Sequence, residues 1–342
     1  MFASRTLLVV GAGASAEVGL PTGAGLALQI SELLDIRLGP GQDLVSGDPY
    51  IAQALRHTPG NFNSHLRGAR AISDAMPVAN SIDEFMDQHK DDEEVQLCGK
   101  LAIVKSILIA ERRSKLYVDW RAPYAGARRF EQALDSWFVR FFKIASKGIA
   151  KANANQALDN IFVINFNYDR CLEVFLRDAL FALYRMDNDV ADRILDQRVL
   201  HPYGRIGSLP SGSVMDPLPF GADEDWVTNL SRLSKGIHTF TEQIGDAQVV
   251  GRIREEISKA KVIIFLGFGF HRQNMDLLTS GTRSVVRRIY ATSYGMSDPD
   301  RNLVQNQLKE RLSNPSVTLR IEMPNNLTCK QLFDDYQRSL SN

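Results

Sequence analysis

The sequence predicts an α/β protein: a doubly wound, mainly parallel sheet carrying a helical insertion domain. Three observations lead there. Short apolar runs of strand length recur along the chain. Each is followed by a stretch of helical periodicity. Between the first and second runs lies a long segment whose signals are almost all helical. Buried strands separated by helices imply a parallel sheet covered on both faces. The expected division is 1–37 plus 159–342 for the sheet domain and 38–158 for the insertion.

The first strand is expected at 6–10, in "TLLVV". This run is too short for a signal peptide and lacks a basic leader, so it reads as a strand. It enters Gly11-Ala12-Gly13 directly, and a helix is expected near 22–36. A turn-rich stretch, "RLGPGQDLVSGDP", follows. Helical patterns then fill 49–158, the last of them running unbroken through "RRFEQALDSWFVRFFKIASKGI". Strands return at 161–165, 199–200, 262–267, 289–292 and 317–322. Helices intervene near 169–185, 247–260, 272–280 and 299–313, and a last one is expected near 327–340.

Composition narrows the function. The 342 residues include 40 Lys plus Arg and 40 Asp plus Glu, a formal net charge of zero. Nothing in that balance favours sequence-specific nucleic acid as a partner. Three cysteines, Cys98, Cys171 and Cys329, are too few and too scattered for a disulfide framework or a four-cysteine zinc site. They suit a reducing cytoplasm, and no bound metal is expected. The most apolar helix, Leu101 to Ala110, contains Lys105 and is too short to span a bilayer. The aromatic run Trp137–Phe142 reads first as core and otherwise as a buried self-association surface.

The glycine turn carries the first functional signal. Small residues between a strand and a helix let backbone N–H groups approach a pyrophosphate. Gly11, Ala12, Gly13 and Ser15 are the residues concerned, with Ala16 at the last position of a G-x-G-x-x-G/A pattern. On this reading Gly13→Val loses ligand affinity and keeps the fold. A tight turn with no ligand is the alternative. The loop Gly19-Leu20-Pro21-Thr22 follows closely and is placed to close over a ligand.

At this point the chain resembles the sirtuin-like superfamily. The resemblance rests on motifs in one order: Gly11-Ala12-Gly13-Ala14-Ser15, then Gly19-Leu20-Pro21, then "VINFNYDR" with Asn167 and Asp169. "VLHPYG" with His201, "FLGFGF" with Gly267 and Gly269, and "YATSYG" with Thr292 and Ser293 complete the series. It covers the α/β domain, and it implies a Rossmann-like fold with NAD at the strand ends. Departures matter too. The chain has no four-cysteine zinc ribbon, and Thr22-Gly23-Ala24 follows Pro21 where deacylases carry D-F-R. Asn165 and Phe166 stand where the family has threonine and glutamine. "SIDEFMDQH" at 81–89 and "LGFGFHRQNMDLL" at 266–278 look like the prokaryotic branch associated with NAD hydrolysis in antiphage defence.

The resemblance therefore implies an NAD+ glycohydrolase with Asn167 and His201 as catalytic residues. Gly11, Ala12, Gly13, Ser15, Pro21, Asp169, Gly267, Gly269, Thr292 and Ser293 are implied as cofactor-binding. An asparagine amide holds a ribose hydroxyl and a water together, because it both donates and accepts. A neutral imidazole takes a proton near physiological pH. Plainer readings stay open: Asn167 as a helix N-cap, Asp169 as a first-turn acid, and His201 as a hydrogen-bonded structural histidine. An NAD-dependent deacylase, a non-catalytic NAD or ADP-ribose sensor and a dehydrogenase are the competing functions. The family further implies a homo-oligomer and a separate activating chain: a HerA-type ATPase, an Argonaute-like protein or a phage component.

Overall fold

The computed structural model describes residues 1–119, 125–212, 214–222, 230–244, 246–282 and 284–341. Its centre is a six-stranded sheet formed by β1 (Thr6–Val10), β4 (Ile161–Asn165), β5 (Val199–Leu200), β6 (Val262–Leu266), β7 (Arg288–Ala291) and β8 (Arg320–Glu322), in the order β5-β4-β1-β6-β7-β8. Every pairing in it is parallel. Counted in chain order along this sheet, the strands run 3-2-1-4-5-6, the doubly wound order of dinucleotide-binding folds. The predicted α/β architecture is therefore present. Beside it lies a small antiparallel pair, β2 (Arg37–Leu38) and β3 (Leu44–Ser46), where the sequence reads only as turns.

Period-two alternation explains how one sheet serves two cores. Leu7 and Val9 of β1 join Phe162, Ile164, Ile263, Phe265 and Ile289 on one face. Leu8 and Val10 join Ile161, Val163, Ile264, Leu266 and Tyr290 on the other. The first face is covered by α2 (Gly23–Leu34) and by the helices α3 (Pro49–His57), α4 (Phe62–Ala75), α5 (Ile82–Gln88) and α6 (Glu93–Arg113). The second is covered by α8 (Trp137–Ala145), which follows α7 (Ala125–Ala133), and by α9 (Cys171–Tyr184). The segment 38–158 thus contributes to both faces of the sheet.

Helix α6 is the spine of that segment. Lys105, in its middle, is buried, and its ammonium lies 3.5 Å from Asp48 and 4.3 Å from the centre of the Tyr50 ring. A buried cation needs such partners. Among the described residues no helix is long and apolar enough to cross a membrane.

The run expected as one helix over 128–149 is two. The break falls at Leu134–Ser136, where the Ser136 hydroxyl turns back onto the Ala133 carbonyl at 2.6 Å. The new helix start is capped from far away: Glu17 accepts from the Trp137 amide and from the Lys330 amide, at 2.9 and 2.8 Å. One carboxylate so serves the N-termini of two helices, where orphan amides and the helix dipole favour an anion. The aromatic run is core: Trp137, Phe138 and Phe141 are essentially inaccessible, and Trp137 stacks on Phe138 and Phe333. It supplies no self-association surface.

Candidate active site

The carboxyl ends of β1, β4 and β6 meet at the sheet's switch point, where open α/β sheets place their ligands. Three of the predicted motifs converge there. Helix α1 (Ala12–Ala16) starts at Gly11, straight after β1. The Asn167 side-chain nitrogen donates to the Gly11 carbonyl at 3.1 Å and to Ser15 Oγ at 3.0 Å. Because a carbonyl only accepts, the amide group must face Gly11, and this leaves Asn167 Oδ1 as an acceptor with no hydrogen-bond donor among the described residues. The Asn167 backbone amide is held in turn by Asn165 Oδ1 at 3.1 Å.

Asp169 is buried beside this pair. It accepts from the Cys171 amide, the first of α9, at 3.0 Å, and it shares Ser15 as a neighbour with Asn167. Burial pushes its carboxyl above the usual range, partly offset by those hydrogen bonds. Asp169 therefore precedes the first turn of α9, bonded to its first amide, and it also belongs to the Asn167–Ser15 cluster.

His201 follows β5 and reaches the same cluster from behind. Its Nδ1 lies 2.8 Å from the Asn167 carbonyl and its Nε2 lies 2.6 Å from Glu173 Oε1. Both partners are acceptors, so both ring nitrogens act as donors. Glu173 also accepts from Arg205 at 3.2 Å, and Arg205 reaches Asp196 at 3.1 Å. Burial opposes ionisation of Glu173, but His201 and Arg205 beside it overcome that and hold its carboxyl down at about 2. His201 is thus an element of a buried charge network that anchors the Asn167 backbone.

The glycines have a packing reason beside any ligand. The Gly11 amide continues the ladder to the Leu266 carbonyl, and the Gly13 amide donates to the Gly267 carbonyl, both at 2.9 Å. A Cβ on Gly13 would stand 2.8 Å from Gly267 Cα, and one on Gly11 would stand 2.7 Å from the Gly267 oxygen. Gly13→Val therefore disturbs the fold itself, contrary to the sequence expectation. The Gly13 amide is already spent and does not face a phosphate. The nearby N-terminus of α2 is different: Thr22, Gly23 and Ala24 are exposed, no side chain caps it, and its first turn holds no acid. Pro21 leads into it and packs against Gly25.

The later motifs divide. Thr292 Oγ1 accepts from the Gly267 amide at 2.8 Å and so holds the β6 turn in place. Ser293 points away, bonded to the Pro324 carbonyl. Gly269 is exposed beside His271, at the start of α10 (Arg272–Thr279).

Several residues of the cluster escaped the sequence reading. Asp83 of α5 accepts from the Tyr168 hydroxyl, next to Asn167. Asp87, one turn on, accepts from Gln273 of α10 at 2.8 Å. Tyr203 bonds Asn274 at 2.5 Å. "SIDEFMDQH" and "FHRQNMDLL" thus meet across the site. From α6, Glu111 receives Arg170 in a fully buried pair at 2.6 Å and also takes the Gly221 amide at 3.0 Å. Two insertion helices therefore grip Tyr168 and Arg170, on either side of Asp169. The spacing of Asp83 and Asp87, four apart on one helix, was the available signal for the first grip. Glu111 and Arg170 carried none.

The cysteines are separate, buried and reduced. Among the described residues no group of three or more His, Cys, Asp or Glu is placed to hold a metal ion. No protein-family model matches the chain, and no curated protein matches it.

Proposed function

We propose that the chain hydrolyses the N-glycosidic bond of NAD+ to nicotinamide and ADP-ribose, as an effector that depletes NAD in antiphage defence. One observation carries this reading: Asn167, from the end of β4, is locked onto the glycine turn of β1 at the switch point of a 3-2-1-4-5-6 sheet. Nucleotide-binding folds use that crevice.

The residues fit NAD with one adjustment. The exposed α2 N-terminus behind Pro21 and the Ala12 amide take the pyrophosphate, because the Gly11 and Gly13 amides are already bonded. Asn167 Oδ1 accepts from a ribose hydroxyl or from the attacking water. Asp169 accepts from the nicotinamide amide. Nicotinamide leaves a cationic pyridinium as a neutral ring, so the site has to stabilise an oxocarbenium-like centre and admit water, with no strong acid. His201 removes a proton only after releasing Glu173 or Asn167. Ground-state occupation of both its nitrogens is the observation that favours a second reading, a non-catalytic NAD or ADP-ribose sensor. A deacylase is the third. In this proposal the protein works in the cytoplasm, as a homo-oligomer gated by a separate chain.

Mixing the purified chain with NAD+ and following nicotinamide, with and without an acyl-lysine peptide, separates these. Release without peptide supports the hydrolase. Release only with peptide makes it a deacylase. Binding without release makes it a sensor.

A further inference from the structure

The candidate NAD crevice lies at the carboxyl ends of the strands, and the amino ends carry a different chemistry. Lys261 precedes β6, Arg287 precedes β7, and Arg288 and Arg320 are the first residues of β7 and β8. The backbone joins them in a row. The Arg287 amide donates to the Lys261 carbonyl and the Arg320 amide to the Arg287 carbonyl, both at 2.9 Å. All four residues are exposed. Arg254, exposed on the helix Ala247–Lys259, adds a fifth cation: its guanidinium lies 3.7 Å from where a Cβ on Gly281, in the loop before β7, would stand.

Neighbouring acids do not neutralise this row. Glu255 and Glu256 are matched by Arg5, Arg252 and Lys259. Among the described residues the five cations make no ion pair, and Arg288 reaches only the Tyr290 hydroxyl, at 3.5 Å. The chain has no Asp or Glu from 277 to 297 or from 311 to 321. Glu322, at the other end of β8, is the first acid reached along that strand. Register sharpens the point. Arg288 and Arg320 are paired residues on neighbouring strands, so they share one face about 5 Å apart and repel. A fold keeps such a local conflict where it uses the charge.

The net charge of the chain is zero, so the row is a local excess that asks for a repeated anion. The planar fork of arginine matches phosphate. The exposed Ser313, Ser316 and Thr318 add hydroxyl donors of the kind that contact phosphate and sugar oxygens. No exposed aromatic lies in 252–264, 284–290 or 312–321, so nothing in these segments stacks on a base. That favours a duplex, whose bases already stack on one another, over a single strand. An anionic membrane would call for apolar anchors beside the cations, and Val285 is the one large apolar residue exposed in these segments. We propose that Arg254, Lys261, Arg287, Arg288 and Arg320 dock the phosphate backbone of a nucleic-acid duplex without reading its sequence. The surface is at the opposite end of the sheet from the crevice and does not rest on the hydrolase reading.

Fluorescence anisotropy of a labelled DNA duplex of about 20 base pairs, titrated with the full chain, tests this. At about 50 mM salt the expected Kd is micromolar, and log K should fall by about 4 per tenfold rise in salt, the counterion release of roughly four to five phosphate contacts. Arg288→Gln combined with Arg320→Gln should weaken binding about tenfold or more and lower that slope by about 2. It should leave the fold no less stable, since it relieves a repulsion. Arg272→Gln, 92% exposed at the carboxyl-end face, should change neither binding nor slope. No binding up to about 100 μM chain overturns the proposal. So does a double variant that binds like wild type, or an Arg272→Gln that loses as much. Tighter binding to a single strand than to the duplex overturns the backbone reading, and a destabilised double variant overturns the repulsion behind it. Uptake by phosphatidylserine vesicles without duplex binding would make the row a membrane contact. Displacement of the duplex by polyglutamate at equal charge would make it a docking site for an acidic protein. Either result overturns the nucleic-acid assignment.

Discussion

Gly13 and Gly267 lie backbone against backbone across the switch point. The Gly13 amide donates to the Gly267 carbonyl at 2.9 Å, and Gly267 holds a φ of +54°. Two strand ends, β1 and β6, can approach this closely only because neither carries a side chain there. The glycine turn is therefore first a device for closing the sheet at its centre.

Gly267→Ala should accordingly be a stability variant. Its Cβ would overlap Gly13 and Ala14 backbone atoms, in a conformation that L-residues rarely adopt. The expected cost is about 3 kcal/mol or more, read as a lower urea midpoint at unchanged slope. A variant within about 0.5 kcal/mol of wild type would show that the turn relaxes easily.

How much of this was legible follows from the kind of signal each part carries. Strands with continuous apolar runs, such as "TLLVV" and "VIIFL", declare themselves, and their alternation with helices gives a parallel, doubly wound sheet without its strand order. Asn167 was legible because it ends such a strand. The Glu111–Arg170 pair was not: it joins residues 59 apart by a contact that no local period encodes. Nor was the engagement of His201, since Glu173 lies on the solvent-ambiguous first turn of a helix. Gly13 shows a third case, a correct residue with an incomplete reason, because backbone crowding and phosphate approach demand the same side chain.

Asp169 should act against stability. Burial raises its carboxyl, so the folded chain holds the proton more tightly than the unfolded one. A raised acid loses stability as pH rises above the unfolded value, here about 4. Asp169→Asn keeps an oxygen for the Cys171 amide and removes the buried charge. It is expected to equal wild type at about pH 3 and to exceed it in urea midpoint at neutral pH. Under the proposed function activity should fall as well, since Asp169 is the acceptor assigned to the nicotinamide amide. A less stable Asn variant at pH 7 would mean that the ionised form is better satisfied than its surroundings suggest.

Glu173 has the opposite sign. Its folded carboxyl is held at about 2, below the ordinary value of 4.5. The stabilisation is complete above about pH 4.5 and drains away as pH falls toward 2. Wild type is expected to exceed Glu173→Gln by about 3 kcal/mol at pH 7, with the gap closing through that acid window. Denaturant melts at pH 7, 5 and 3 read this directly. A pH-independent gap would assign the loss to packing and not to the His201 and Arg205 charges.

Asn167 and His201 give the sharpest test of the functional reading. Asn167→Ala removes the group that joins β4 to the Gly11 carbonyl and Ser15, and with it the acceptor assigned to ribose or water. His201→Ala removes the donor that fixes the Asn167 carbonyl. Each should leave NAD affinity within a few fold and lower kcat by roughly a hundredfold or more, the scale of lost acid–base or electrostatic catalysis. The two residues touch, so the double variant should be little worse than the worse single one. The pH profile then decides what His201 does. A base gives wild type an acid limb, as protonation removes the base, and the His201→Ala residual activity lacks that limb. A histidine that only anchors Asn167 lowers the whole profile and leaves its shape unchanged. The buried contact with Glu173 favours the second outcome, because deprotonation would have to break a 2.6 Å hydrogen bond to an ionised carboxylate. Full turnover in either alanine variant would remove the β4–β5 strand ends from the chemistry and leave the switch point as a binding turn alone.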